Sequence, residues 1–394
     1  MAPAALTKDA FLEKEIQELK LRSLYRCPET VESLNGSRMC LGARTLVNFS
    51  SNDYLGLSRH PLVIQKASEA LADWGAGSGA SRLLSGNLAL HEELEKRLAL
   101  FKKEKAARIF SSGYLANLGA VTSLLNEKDL VLSDRFNHAS LIDAARLSKA
   151  KFRVYPHGDT TSLDRILAGS AGFRRKLVVT DAYFSMDGHV APLDRLLEIC
   201  RKRGAMLMID EAHSTGVFGR AGRGLTEHFG LSGQIDVVMG TLSKALGSAG
   251  GFVAGSSSLV EILTNRAKGF IYTTAASPAA SAAALAALGV LEKQPQRLGE
   301  LRAKALRLRE GLCGLDFDLM DSEGPIVPIR VGDSKKALLF KSFLAEEGYF
   351  APAIRPPTVP KNSDRIRLSV TASHSDAEID GLIAAFKKLK NKFK

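Results

Sequence analysis

From about residue 105 the chain alternates short apolar runs with helix-patterned stretches. "AARIF" leads into "SSGYLANLGAV", "DLVLSD" into "NHASLIDAARLS", and "KLVVTD" towards "APLDRLLEICRKRG". "AMLMID" runs into "EAHSTG", "DVVMGT" into "LSKALG", and "GGFVAG" into "SSSLVEILTNRA". Strands alternating with helices predict an α/β fold whose mostly parallel sheet has helices on both faces. Functional groups in such sheets collect beyond the carboxyl ends of the strands. The Ser112–Gly113 pair, Asp210 and Lys244 all fall there or just beyond.

The pattern changes near "AASPAASAAALAALGVL" (Ala275 to Leu291), which reads as a buried, close-packed helix. It is too short and too weakly apolar for a bilayer span of ~20 strongly apolar residues. Beyond it, "PIVPIRV" (Pro325 to Val331), "RIRLSVT" (Arg365 to Thr371) and a final helix from about Asp376 predict a smaller α+β domain. At the other end, a helix and an extended arm lead to "NFSSNDYLGL". The expected division is an arm over 1–45, a large domain over 46–290 and a small one over 291–394, and 394 residues suit one large and one smaller core.

Composition is ordinary for a globular chain, with 45% hydrophobic and 24% charged residues. The N-terminus lacks a basic segment followed by an apolar run, so no signal peptide is expected. Four cysteines without C-x-x-C spacing predict neither a zinc cluster nor a disulfide framework, and suit a reducing cytoplasm. The net charge of +12 raises nucleic acid as a partner, and "IDEAHSTG" contains the acidic box of many RNA helicases. A helicase also needs a phosphate-binding G-x-x-x-x-G-K-[ST] loop, and no Gly-Lys dipeptide occurs. "GAGSGASR" and "GRAGRG" lack the strand and helix that would make them nucleotide loops. The basic tail, Lys387 to Lys394, comes with no nucleic-acid fold signature and reads as the solvated end of a helix. Neither nucleic acid nor a membrane is expected as a partner, and the charge suits an anionic substrate.

Asp210 ends an apolar strand, where a buried carboxylate can hold a proton on a ring nitrogen. Taken alone, it reads equally well as a cap for the next segment. Lys244 changes that balance. It lies in "GTLSKALGSAGG", a loop of small residues where backbone approaches a ligand closely and a desolvated amine can react with an aldehyde. Thr241 suits a phosphate oxygen. Ser111, Ser112 and Gly113 stand at a strand-to-helix junction whose free N–H groups favour a phosphate. His138, in "DRFNHASL", can lay its ring on a pyridine face. A phosphate loop, an Asp and a Lys in this order point to pyridoxal phosphate (PLP), whose pyridinium ring is an electron sink.

From about Arg26 to the last helix the chain resembles the α-oxoamine synthases. These are fold-type I PLP enzymes that condense an amino acid with an acyl thioester and release carbon dioxide. The most specific stretches are "NFSSNDYLGL", "GSGASRLLSGN", "HEELEKRLA", "SSGYLAN", "FSMDGHVAPL", "IDEAHSTGVFG", "TLSKALG" and "AIRPPTVP". The resemblance implies that Lys244 is the Schiff-base lysine, Asp210 the pyridinium partner and His213 a donor to the phenolic oxygen. It makes His138 the stacking histidine, near the substrate and catalytic together with Lys244 and Asp210. Ser112, Gly113, Tyr114, Ser185 and Thr241 match further cofactor contacts. Arg26, Asn52, Thr358 and Arg367 match positions that meet substrate. "YTTA", with Thr273 and Thr274, resembles a segment given by the partner subunit of a homodimer with shared sites. "TDAYFSMDG" departs from the Glu-Gly or Asp-Gly of many relatives, without touching a catalytic role. "AIRPPTVP" and "RIRLSVTASHS" are most similar to the members that join L-alanine to a pimeloyl thioester, on CoA or an acyl carrier protein, in biotin biosynthesis. Glycine with acetyl-CoA is the alternative substrate pair.

Overall fold

Seven strands form the central sheet: β4 (Ala106–Phe110), β5 (Leu130–Asp134), β6 (Lys151–Tyr155), β7 (Lys176–Asp181), β8 (Met206–Asp210), β9 (Val237–Thr241) and β10 (Gly251–Gly255). Their spatial order is β4-β10-β9-β8-β7-β5-β6, with β10 alone antiparallel to its neighbours. This computed structural model describes residues 9–393. Residues 1–8 of the expected arm and Lys394 of the basic tail lie outside the described residues.

The inner strands β5, β8, β9 and β10 are nearly continuous buried runs, as sheets covered on both faces require. One hydrophobic cluster fills one side of the sheet and a second lies beneath the helix Gly113–Leu124. The Ala-rich helix Pro278–Lys293 packs against the helices Pro61–Trp74 and Ala89–Lys102, its small residues permitting close approach.

Two smaller sheets complete the fold. The expected extended arm is a meander of β1 (Ser33–Asn35), β2 (Arg38–Leu41) and β3 (Arg44–Asn48). It is joined in parallel by β12 (Tyr349–Phe350) from the far end of the sequence. β11 (Ile326–Arg330), β14 (Arg365–Ser369) and β13 (Ala353–Ile354) form the other, against which the helix Ser334–Glu346 packs. The final helix runs from Asp376 to Lys392, with a capping box between Ser375 and Glu378. Its basic end is partly engaged: Lys388 meets Glu347 at 2.6 Å and Lys390 meets Asp316 at 2.9 Å.

Candidate active site

The carboxyl edge of the parallel strands gathers the chemistry. Where β4 gives way to the helix Gly113–Leu124, Ser112 caps the helix and its Oγ accepts the Leu115 N–H at 3.2 Å. A Cβ at Gly113 would stand 2.9 Å from Met239 Cε, the movable end of a flexible side chain. Gly251 of β10 is tighter still: its Cβ would lie 2.5 Å from Gly113 Cα. The first N–H groups of this helix have no partner within it and favour an anion. Beside them the Thr241 hydroxyl donates to Gly250 O at 2.8 Å and accepts the Ser243 N–H at 3.2 Å.

Asp210 is buried at the end of β8. Its Oδ2 accepts from Asn117 Nδ2 at 2.7 Å and its Oδ1 accepts the Ala212 N–H at 2.8 Å. Both donors are neutral amide N–H groups. Asp181 sits directly beside it on β7 and accepts the His138 N–H at 2.6 Å. Burial, and then the charge of Asp210, push Asp181 well above the usual carboxylate range. Lys244, following β9, is drawn below the ordinary lysine value by burial, with Asp210 and Asp181 opposing.

Both histidines have their hydrogens assigned by their partners. Tyr54 Oη lies 2.7 Å from His213 Nδ1. Burial raises Tyr54, so it keeps its proton and donates it to that nitrogen. Burial and then Lys244 push His213 well below the usual histidine value, leaving a neutral ring with Nε2–H. His138 accepts the Ser140 N–H on Nδ1 at 3.2 Å, with Ser140 Oγ 2.7 Å from the same atom. Its edge is open to the cavity mouth, yet desolvation lowers its pKa, so Nε2 carries the hydrogen.

Gly113, Tyr114, His138, Asp210, His213, Thr241 and Lys244 line one cavity of about 150 Å³, with the Ser112 cap adjoining. Ser185 and Thr358 line a neighbouring cavity that shares His138. Arg367 is buried and donates to Ser185 O at 2.5 Å and to Asn52 Oδ1 at 3.2 Å. Among the described residues it has no carboxylate partner. Arg26 stands outside both cavities and reaches them through Thr358 Oγ1, to which it donates at 3.0 Å. Tyr114 is turned to Asp143 through its hydroxyl. Thr273 and Thr274 lie apart from Lys244, in a recess with Ser111 and Arg82. A cavity of about 670 Å³ walled by Phe218, Leu301 and Pro325 holds none of the expected residues, so chemistry and not size locates the site.

The residues present fit PLP. A helix start and Thr241 suit its phosphate, the carboxyl group of Asp210 its ring nitrogen, and the amine of Lys244 its aldehyde. A buried, unpartnered Asn117 Oδ1 beside Asp210 leaves polar capacity in the same wall. Sequence reasoning missed Asn117, Ser140, Asp181 and Tyr54. Asp181 ends "KLVVTD" as Asp210 ends "AMLMID", a signal that was readable; the others carry none by themselves.

This sheet, with a lysine and an aspartate beyond neighbouring parallel strands and a phosphate-suited helix start, defines a fold-type I PLP enzyme. The family model for aminotransferase class I and II matches residues 44–386. The chain belongs to that family and, within it, to the α-oxoamine synthases. It is 42% identical over 380 residues to the 8-amino-7-oxononanoate synthase of Thermoanaerobacter pseudethanolicus, covering 96% of each chain. It is 45% identical over 377 residues to that of Geobacter sulfurreducens, covering 95% of this chain and 96% of the relative. A serine palmitoyltransferase of S. paucimobilis with bound PLP–myriocin superposes with a TM-score of 0.92 at 31% identity, over 98% of each chain.

Proposed function

We propose that the protein joins L-alanine to a pimeloyl thioester, giving 8-amino-7-oxononanoate, carbon dioxide and free thiol, a step of biotin biosynthesis. The carrying observation is near-full-length identity of 42% and 45% to 8-amino-7-oxononanoate synthases. The cavity built around Lys244, Asp210 and His138 supports it.

When bound, PLP supplies an aldehyde for amino groups and a ring that accepts electrons. Asp210, whose oxygens accept from Asn117 and Ala212, would face the ring nitrogen and stabilise a proton there. Arg367, a buried cation without a carboxylate of its own, receives the carboxylate of alanine. An unpaired buried charge is costly, and a guanidinium can meet a carboxylate through two parallel hydrogen bonds. Lys244, its pKa lowered by burial, is the base whose Nζ takes the α-proton. The α-carbon attacks the thioester carbonyl, towards which His138 offers its Nε2–H, and the thiolate leaves. The resulting β-keto acid releases carbon dioxide, and Lys244 returns a proton to the α-carbon. His213 stays neutral behind Tyr54, and its Nε2–H would serve the phenolic oxygen of the bound cofactor.

The same reading makes the enzyme a cytoplasmic homodimer with shared sites. Its four cysteines are unpaired, and among the described residues no helix is long and apolar enough to cross a membrane. Thr273 and Thr274, away from Lys244 of their own chain, are assigned to the partner's site. Tyr272 and Leu84, 79% and 78% exposed, stand on the two segments joined by the Ser81–Thr274 bridge, apolar surface that suits a subunit contact. The chemistry is tested by carbon dioxide release with each pair of amino acid and thioester. Alanine with pimeloyl-CoA is expected to exceed glycine with acetyl-CoA, and the reverse order would overturn the substrate assignment.

A further inference from the structure

The cavity that adjoins the Lys244 site at His138 measures about 630 Å³. Much of its wall is apolar, with Phe136, Ile142, Phe184, Met186, Pro357 and Val359 in it. Apart from His138, its ionisable members are Arg135 and Asp187. Asp187 is already matched by the buried Arg365. Arg135 is not. It follows β5 three residues ahead of His138, and its backbone N–H bonds Tyr155 O at 3.1 Å. Among the described residues its guanidinium has no hydrogen-bond or ion-pair partner.

An apolar cavity beside the reacting centre accepts a hydrocarbon chain and penalises a charge at the end of that chain. A single unmatched guanidinium in the wall reverses the preference, because it can meet a carboxylate through charge-assisted hydrogen bonds. We propose that Arg135 reads the far end of the acyl group. The apolar wall takes the methylenes, and the guanidinium receives the ω-carboxylate of a dicarboxylic acyl thioester. This inference rests on the acyl-transfer reading above and adds to it the residue that distinguishes a dicarboxylic from a monocarboxylic donor. The phosphates of the thiol carrier are the competing anion.

The test uses the PLP-loaded enzyme with alanine and two donors of equal chain length, pimeloyl-CoA and heptanoyl-CoA. Hydrogen bonds to a charged group are worth about ten- to a hundredfold. In Arg135→Ala the ratio of kcat/KM for pimeloyl-CoA over heptanoyl-CoA is therefore expected to fall by about that factor relative to the wild type. Arg135→Lys should keep part of the preference, because it keeps the charge and loses the fork. An equal loss with both donors would place the guanidinium on the carrier and overturn the proposal, as would an unchanged ratio. Equilibrium binding of the two thioesters to wild type and Arg135→Ala separates this inference from the reaction itself. If neither donor is turned over by the wild type, the proposed reaction fails. A selective loss of pimeloyl-CoA binding in Arg135→Ala would still support the role of Arg135, and equal binding would end it.

Discussion

His374 shows how a buried residue ties stability to pH. Its ring stacks on Phe49 with centroids 4.1 Å apart, and both nitrogens are committed. Nδ1 accepts the Thr371 N–H at 3.0 Å, and Nε2 donates to Asn48 O at 3.2 Å. Burial pushes its pKa down to about 4 from the ordinary 6.5. The unfolded chain therefore takes up the proton first as pH falls. The stability held above pH 6.5 is lost progressively between 6.5 and about 4, by up to roughly 3 kcal/mol. Denaturant melts at pH 7.5 and 4.5 check this. His374→Gln should be less stable than the wild type at the higher pH and lose less on acidification; parallel losses in both proteins would contradict it. Sequence made other residues visible for reasons of local context. Asp210 ends an apolar run and Lys244 follows one among small residues, so both announce a strand-end site. Asn117 and Ser140 do not, because their roles come from partners far away in sequence: Asn117 Nδ2 reaches Asp210 and Ser140 Oγ across separate elements.

The second acid of "DEAH" does its work between elements. Glu211, just after β8, is ion-paired with Lys102 at the end of the helix Ala89–Lys102, and both are buried. Glu211 also accepts the Thr226 N–H at 2.7 Å, and Lys102 donates to Arg223 O and, at 3.3 Å, to Thr215 Oγ1. Gly224, at φ 108°, leaves room for the carboxylate: a Cβ there would stand 2.4 Å from Glu211 Oε2. The pair thus ties a helix end to the strand that carries Asp210 and to the loop that follows it. Removing one partner of a buried pair costs about 3–5 kcal/mol, whereas replacing both can be nearly neutral. Lys102→Met is expected to lose stability in that range, and Lys102→Met with Glu211→Gln to recover most of it. A single variant within about 0.5 kcal/mol of wild type, the range of ordinary surface changes, would contradict the role. Strands were legible where both faces are buried, as in β5 and β8. β6 escaped because "KFRVY" is an edge strand laced with Lys151 and Arg153, which blunt the edge and break the apolar run. The N-terminal arm read as extended, and its meander was hidden because β1 and β2 are only three and four residues long and largely unburied, with no apolar alternation to mark them.

At the scale of the whole molecule, the sheet brings Ser112, Asp210 and Lys244 to one edge, Asp210 and Lys244 from the neighbouring β8 and β9 and Ser112 from β4 beyond β10, a shared edge that the rhythm of strands and helices allowed one to foresee. The position of Thr273 and Thr274 away from Lys244 makes subunit sharing the sharpest global prediction. Co-assembled Lys244→Ala and Thr273→Ala/Thr274→Ala chains should recover part of the activity that each lacks alone, since mixed dimers then contain one intact site. No recovery, or a fully active monomer by light scattering, would contradict sharing. The central claim is that this edge holds PLP through Lys244. It is tested most directly by reducing the PLP-loaded protein with borohydride and mapping the modified peptide by mass spectrometry. A single pyridoxyl group on Lys244, absent from Lys244→Ala, is the predicted result, and a group fixed on any other lysine would contradict the account.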